Sequence, residues 1–326
     1  MSPSVDHVDH NVVLQKLKAL GVPDFMVRWL SSFLRARQQR VKVIDIFSDW
    51  TTLNGGMPQG SWLGPLIFIV LINDLRTRQH THKFIDDTTV SEVVHKGCDS
   101  DIQCDLDVVL EWSQLNHMNI NSKKTKEMVL GPLSKEPLKP LTIASTTVER
   151  VPVYKLLGVN INNALKWDDH IAATISKASK RIWFLKKLKR AGVSTDDLVY
   201  YYQTVVRPVL EYACVVWHSC LTKEQVQSLE NVQRRALQII VGNTSYISAC
   251  STLGISQLSD RRREQCALMF RRIVSDQSHV LHYLLPAKRD SQLTERLRSA
   301  KPYPSVRTRT TRFQNSFIPF SLTNFQ

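Results

Sequence analysis

Two rhythms of apolar and polar positions run along this chain. Val13, Leu14, Leu17 and Leu20 recur at helical spacing and predict a short helix from His10 to Leu20, ended by Gly21. Pro23 opens a second helix through Arg37, with Met26, Trp29, Leu30, Phe33 and Leu34 as its apolar stripe. Both stripes are expected in a core. The rhythm then shortens to alternation. Gln38 to Phe47 reads as a strand, with a turn at Ser48-Asp49 and a partner strand from Trp50 to Leu53.

A glycine- and proline-punctuated loop follows, Gly55 to Pro65, leading into the apolar run Leu66 to Ile72 and then Asn73-Asp74. Gly55, Gly56 and Gly60 allow close approach of the backbone to a ligand, and Gln59 offers both an amide donor and an acceptor. Ser61 is placed to cap the apolar helix, leaving backbone N–H groups free for a phosphate. Thr81 to Glu92 then reads as a tight hairpin with Asp86 and Asp87 at its tip. Neighbours on a strand face opposite ways, so one carboxylate is expected to enter a site and the other to point aside. The apolar neighbours Phe84, Ile85 and Val90 push this pair toward a partly buried setting, where a divalent cation suits it.

Further on, residues 99–115 have helical period, Asn119-Ile120-Asn121 is a turn, and Thr142 to Ile161 breaks into short strands around Gly158. The last part is helical by pattern. One helix runs to Arg190 from a cap at Asp168 or Asp169, with Ile171, Ile175, Ile182, Leu185 and Leu188 inside. A capping box at Ser194 and Asp197 starts a helix that Pro208 ends, and a third carries Val226, Leu229, Val232 and Ala236 up to Gly242. Asp260 to Val274 presents Arg261, Arg262, Arg263, Arg271 and Arg272, and from Lys288 a basic segment lacks clear period and is expected to be partly disordered.

Charge sharpens this division. The net charge is +14. Residues 171–326 hold 24 Lys and Arg against 10 Asp and Glu, whereas residues 1–170 balance at 19 each. The whole excess therefore lies in the helical half, an electrostatic footprint suited to a phosphate backbone. The longest apolar run is far below the roughly 20 residues that cross a bilayer. Cys98, Cys104, Cys214, Cys220, Cys250 and Cys266 have no metal spacing and read as reduced thiols, so an intracellular protein without a membrane anchor is expected.

Taken together these motifs resemble a family. Gly-Met-Pro-Gln-Gly-Ser-x-Leu-Gly-Pro with its apolar helix and Asn73-Asp74-Leu75 is similar to a sequence block of reverse transcriptases, in the form found in non-LTR (LINE-type, jockey-like) retrotransposons. Phe84-Ile85-Asp86-Asp87 resembles that family's metal-binding turn, and Asn121 with Lys124-Thr125 and Tyr154 to Val159 resemble the blocks that follow. Pro208 to Tyr212, Leu229 to Arg235, Arg312-Phe313 and Asn315 to Pro319 are similar to the region beyond the palm.

The resemblance implies an α+β fold: a polymerase palm, antiparallel sheet packed by helices, over residues 1–165 with the fingers missing. A basic all-helical thumb over 166–245 and a basic C-terminal region over 246–326 follow. It implies RNA-directed DNA synthesis, joining a primer 3′-hydroxyl to a nucleotide α-phosphate with two Mg²⁺ ions, or Mn²⁺ in their place. Asp86 and Asp87 would be the metal ligands, Lys124 would sit by the triphosphate, and Gln59 and Gly60 would line the incoming nucleotide and template. The implied partners are an RNA template, a DNA primer and deoxynucleoside triphosphates, in a ribonucleoprotein of cytoplasm and nucleus.

One departure bears on activity. Val5 to His10 aligns with the end of the family's first block, which puts its leading metal-binding Asp before Met1. A truncated, impaired polymerase is therefore expected, and a non-catalytic nucleic-acid-binding remnant is the alternative.

Overall fold

A computed structural model describes residues 8–53, 55–56, 62–95, 97–290 and 301–326. The chain falls into two compact units, Met1–Pro152 and Val153–Gln326.

The first unit is built on three helices: α1 (His10–Ala19), α2 (Asp24–Leu34) and α3 (Leu63–Ile72). Val13, Leu14 and Leu17 of α1 meet Val27, Leu30 and Leu34 of α2 and Ile67, Phe68, Leu71 and Ile72 of α3 in one core. The stripe expected on α2 is only half right. Leu30 and Leu34 are buried, but Met26 and Trp29 face solvent, because the core-facing row runs through Val27 instead. Leu66 and Ile69 of α3 are likewise exposed, so this uniformly apolar helix buries one side only.

The strands of this unit pair in twos. β1 (Arg37–Gln39) pairs antiparallel with β4 (Thr51–Leu53), and between them β2 (Lys42–Val43) pairs with β3 (Ile46–Phe47). The turn expected at Ser48-Asp49 is therefore at Ile44-Asp45, and Ile44 takes a positive φ to make it. β5 (His80–Phe84) and β6 (Asp87–Ser91) form the hairpin read from the sequence. α4 (Ile102–Leu115) follows, then β7 (Lys126–Glu127), β8 (Thr142–Ile143), β9 (Thr146–Thr147) and β10 (Glu149–Arg150). Leu106, Ile143 and Val148 make a small second core. Among the described residues the strands form two-stranded pairs rather than one larger sheet.

The second unit opens with the hairpin β11 (Val153–Leu156) and β12 (Val159–Asn162). Leu157 and Gly158 both have positive φ, as a two-residue turn matched to strand twist requires. A Cβ on Gly158 would also lie 3.0 Å from the Tyr212 ring, so glycine is needed twice over. The unit therefore begins near Val153, ahead of the division read at 165/166, because β12 packs on the first long helix.

That helix is α5 (Asp168–Arg190), with Ile171, Ile182 and Leu185 inside and Lys177, Lys180, Lys186 and Lys187 outside, as its period predicts. α6 (Thr195–Tyr201) is capped by the Ser194 hydroxyl. It does not stop at Pro208. A π-helical stretch, Tyr202–Val206, links it to α7 (Arg207–Glu211), which places Pro208 in a first turn, where a missing N–H costs nothing.

α8 (Cys214–Trp217), α9 (Lys223–Val241, with a Thr222/Gln225 capping box), α10 (Tyr246–Leu253) and α11 (Leu258–Ser275) complete a core of nineteen buried residues. Of the tail from Lys288, expected to be partly disordered, residues 301–326 are ordered. Two short helices, Thr311–Gln314 and Phe317–Asn324, are present, and Tyr303 and Leu322 are buried against Phe270 of α11. No described helix is long and apolar enough to cross a membrane, and the six cysteines are free thiols.

Candidate active site

The Asp86-Asp87 hairpin is the best-formed candidate. Phe84 pairs with Asp87, so Ile85 and Asp86 are the two turn residues. Ile85 alone of these takes a positive φ, +52°. That is a costly conformation for a β-branched residue, of order 1–3 kcal/mol, and it persists only where the surroundings impose it. The turn leaves Asp86 half-buried and Asp87 exposed; Phe84 and Ile85 are themselves exposed, so the apolar flanks do not bury the pair as expected.

Its anchorage is visible. The Lys83 ammonium donates to the carbonyls of Ile72 (2.8 Å), Asn73 (3.2 Å) and Leu75 (2.8 Å), closing the C-terminal end of α3. Lys16 donates to the Leu71 carbonyl at 2.6 Å and to Asp74 at 2.7 Å. Cations are favoured at that end of a helix by the orphaned carbonyls and the dipole. Burial, and then the nearby Arg76, hold Lys83 below the usual lysine range. At the foot of β5, the backbone N–H of Arg78 donates to the buried Asp105 carboxylate of α4 at 2.8 Å.

Asp74, which the sequence placed beside the site, is thus a structural residue. It accepts from Lys16 and from the Trp112 indole at 3.0 Å. Burial alone would raise its pKa, but these two donors hold it below the usual carboxylate range. Lys16, Lys83 and Asp105 escaped the sequence reading because nothing in spacing reveals which carbonyl a lysine will reach.

Lys124 lies on the turn before β7. Asn121 holds that turn by accepting from the Lys124 backbone N–H, and the Lys124 side chain is exposed. Gln59, Gly60 and Ser61 lie outside the described residues, as does Asp6. Where the glycine loop begins, Gly56 donates to the Val8 carbonyl at 3.0 Å, and His10 bonds the Gly56 carbonyl at 2.7 Å.

Two adjacent carboxylates on a fixed turn suit a hard divalent cation, which takes oxygen ligands and keeps sites for water or phosphate. Among the described residues no group of three or more His, Cys, Asp or Glu side chains could hold a metal ion.

Residues 3–161 match the family model described as reverse transcriptase (RNA-dependent DNA polymerase). The chain carries a reverse transcriptase domain. It is homologous to polymerases of non-LTR retrotransposons. It is 25% identical over 328 residues to the RNA-directed DNA polymerase from mobile element jockey of Drosophila funebris, covering 94% of this chain and 34% of the relative. The probable RNA-directed DNA polymerase from transposon X-element of Drosophila melanogaster is 25% identical over 252 residues, 73% of this chain and 27% of the relative. A third relative, from transposon BS of the same species, is 22% identical over 308 residues, 84% of this chain and 33% of its own. This chain thus spans about a third or less of the relatives it matches.

The reverse transcriptase match runs past Pro152 into the β11–β12 hairpin of the second unit. Beyond the match, residues that resembled family blocks turn out to be structural. Glu230, nearly buried, accepts from the N–H groups of Ser259 (2.6 Å) and Leu258 (3.4 Å) at the start of α11 and from the Tyr246 hydroxyl. Gln233 bridges the Tyr202 and Tyr246 hydroxyls and the Ser256 carbonyl. Glu211 pairs with Arg261 at 2.6 Å. Arg262, expected on the surface, is fully buried, 3.9 Å from Glu230 and over the Trp217 ring.

Proposed function

We propose that this chain is the polymerase portion of a retrotransposon reverse transcriptase, extending a primer 3′-hydroxyl on an RNA template. The observation that carries this reading is the Asp86-Asp87 turn, strained at Ile85 and tied by Lys83 to the end of α3, inside the segment that matches the family.

Asp86 and Asp87 would hold Mg²⁺ or Mn²⁺. The chemistry supplied by such an ion would be charge neutralisation of the triphosphate and a lower pKa for the attacking hydroxyl. The chain's own part is positional. A turn with no slack fixes where charge is neutralised, and the exposure of Asp87 leaves that place open to substrate. Lys124 offers an exposed ammonium for the polyphosphate, and the family resemblance would assign Gln59 and Gly60 to the nucleotide and template. Residues 1–165 are read as the palm and 166–245, which hold α5 to α9, as a thumb whose outward lysines and arginines would follow the nucleic-acid backbone.

A second reading, binding without turnover, draws on the two-carboxylate donor set. Primer extension on oligo(dT)-primed poly(rA) with Mg²⁺ or Mn²⁺ separates the two. Weak extension that Asp86→Ala removes supports polymerisation. Duplex binding without Asp86-dependent extension supports the remnant.

A further inference from the structure

The hairpin arm from Arg37 to Leu53 takes no part in the site above, yet it is built in an unusual way. None of the residues of β2 and β3 is buried, and Ile44 and Ile46 at the tip are 85% and 78% exposed. A hairpin this short is marginal by itself. Cations laid on rings brace it. The Arg40 guanidinium lies 4.0 Å from the Phe47 centroid and 4.5 Å from that of Trp50, and Lys42 sits 5.2 Å over Phe47. At the root, Arg37 lies 4.8 Å over Phe33, which stacks on Trp29 at 6.0 Å. Trp29 and Trp50 nevertheless remain 64% and 56% exposed.

We propose that this arm is a docking surface for single-stranded nucleic acid. It rests on the nucleic-acid reading above and adds a place of contact outside the Asp86-Asp87 turn. Bases stack on the free surfaces of Trp50, Phe47 and Trp29, and phosphates meet Arg35, Arg37, Arg40 and Lys42. Exposed aromatic faces held beside guanidinium groups are what unpaired bases and their backbone need, whereas a duplex hides its base faces. Charge supports the same occupant. Four cations face only Asp45 and Asp49 between residues 35 and 53, although residues 1–170 as a whole are balanced. A second copy of the chain fits less well, since a symmetric contact would set these cations against one another.

The test uses the full chain and fluorescein-labelled 12-nucleotide oligo(U) and oligo(dT), read by anisotropy with no nucleotide triphosphate present. Phe47→Ala with Trp50→Ala should weaken single-strand binding about tenfold or more, as loss of stacked bases does. Binding of a blunt duplex of the same length should change less than threefold. Arg40→Gln with Lys42→Gln, which leaves both rings in place, should lower the slope of log affinity against log salt by about two. The proposal is overturned if single-strand affinity stays within twofold in both variants, or if duplex binding falls equally. It is also overturned if the substitutions abolish only flotation with phosphatidylserine vesicles, or only a sedimenting dimer. Because no polymerisation is read, failure of the arm and failure of the polymerase reading remain separable.

Discussion

The two compact units treat their family-like residues in opposite ways. In the first, Asp87 and Lys124 are exposed and Asp86 half-buried at or beside turns; the hairpin is secured through Lys83 on the carbonyls at the end of α3 and Asp105 at the foot of β5, and the Lys124 turn through Asn121. In the second, Glu211, Glu230 and Gln233 are spent on holding helices together. Residues that look equally motif-like in the sequence thus do different physical work. On the proposed reading the first group would do chemistry, whereas the buried ones set the geometry of a helical body.

The largest effect that would sharpen this contrast lies at Glu230. Glu230→Ala removes the carboxylate at the start of α11 and leaves Arg262 charged and buried. It should cost about 3–5 kcal/mol in urea-induced unfolding. A loss under 1 kcal/mol would show that the buried network is not structural.

Next comes pH. Burial, then the nearby Arg262 and Arg263, push His218 from 6.5 down to about 4. The folded state therefore refuses a proton that the unfolded chain accepts. Stability should be constant above pH 6.5 and fall as pH drops toward 4, by up to about 3 kcal/mol. His218→Gln should flatten that window. A profile that does not change on this substitution would remove His218 from the account.

A smaller effect is expected at Lys83. Lys83→Met frees the carbonyls at the end of α3 and should cost about 1–2 kcal/mol, while reducing any primer extension through a loosened hairpin. Smallest is Ile85→Gly. It relieves the positive φ but adds freedom to the unfolded chain, so stability should shift by less than about 1 kcal/mol. Hydrogen exchange at Phe84 and Asp87 should nonetheless quicken, because the turn loses its stiffness.

How far the sequence revealed this molecule depends on the kind of signal. Helix-period positions were legible wherever burial was one-sided: Val13, Leu14 and Leu17 on α1, and Ile171, Ile182 and Leu185 on α5. The Asp86-Asp87 hairpin was legible from apolar flanks and spacing. The turn of the first hairpin was not. Ile44 takes a positive φ that β-branched residues avoid, so that hairpin was misplaced by several residues. The π-helical stretch at Tyr202–Val206 hid how Pro208 fits inside a continuing helix. Tertiary partners were hidden as well. Arg262 looked solvent-facing because its company, Glu230 and Trp217, lies more than thirty residues away in sequence. The C-terminal helices show weak period because they bury only a few side chains, Pro319, Ser321 and Leu322 among them.

The central claim is that the Asp86-Asp87 turn is a chemical site and not a structural one. Asp86→Ala is its most direct test, with unfolding free energy and primer extension measured on the same preparation. The account predicts stability within about 1 kcal/mol of the parent, as for a half-buried turn residue, with extension on poly(rA)/oligo(dT) lost. A large fall in stability, or extension that continues unchanged, would contradict it.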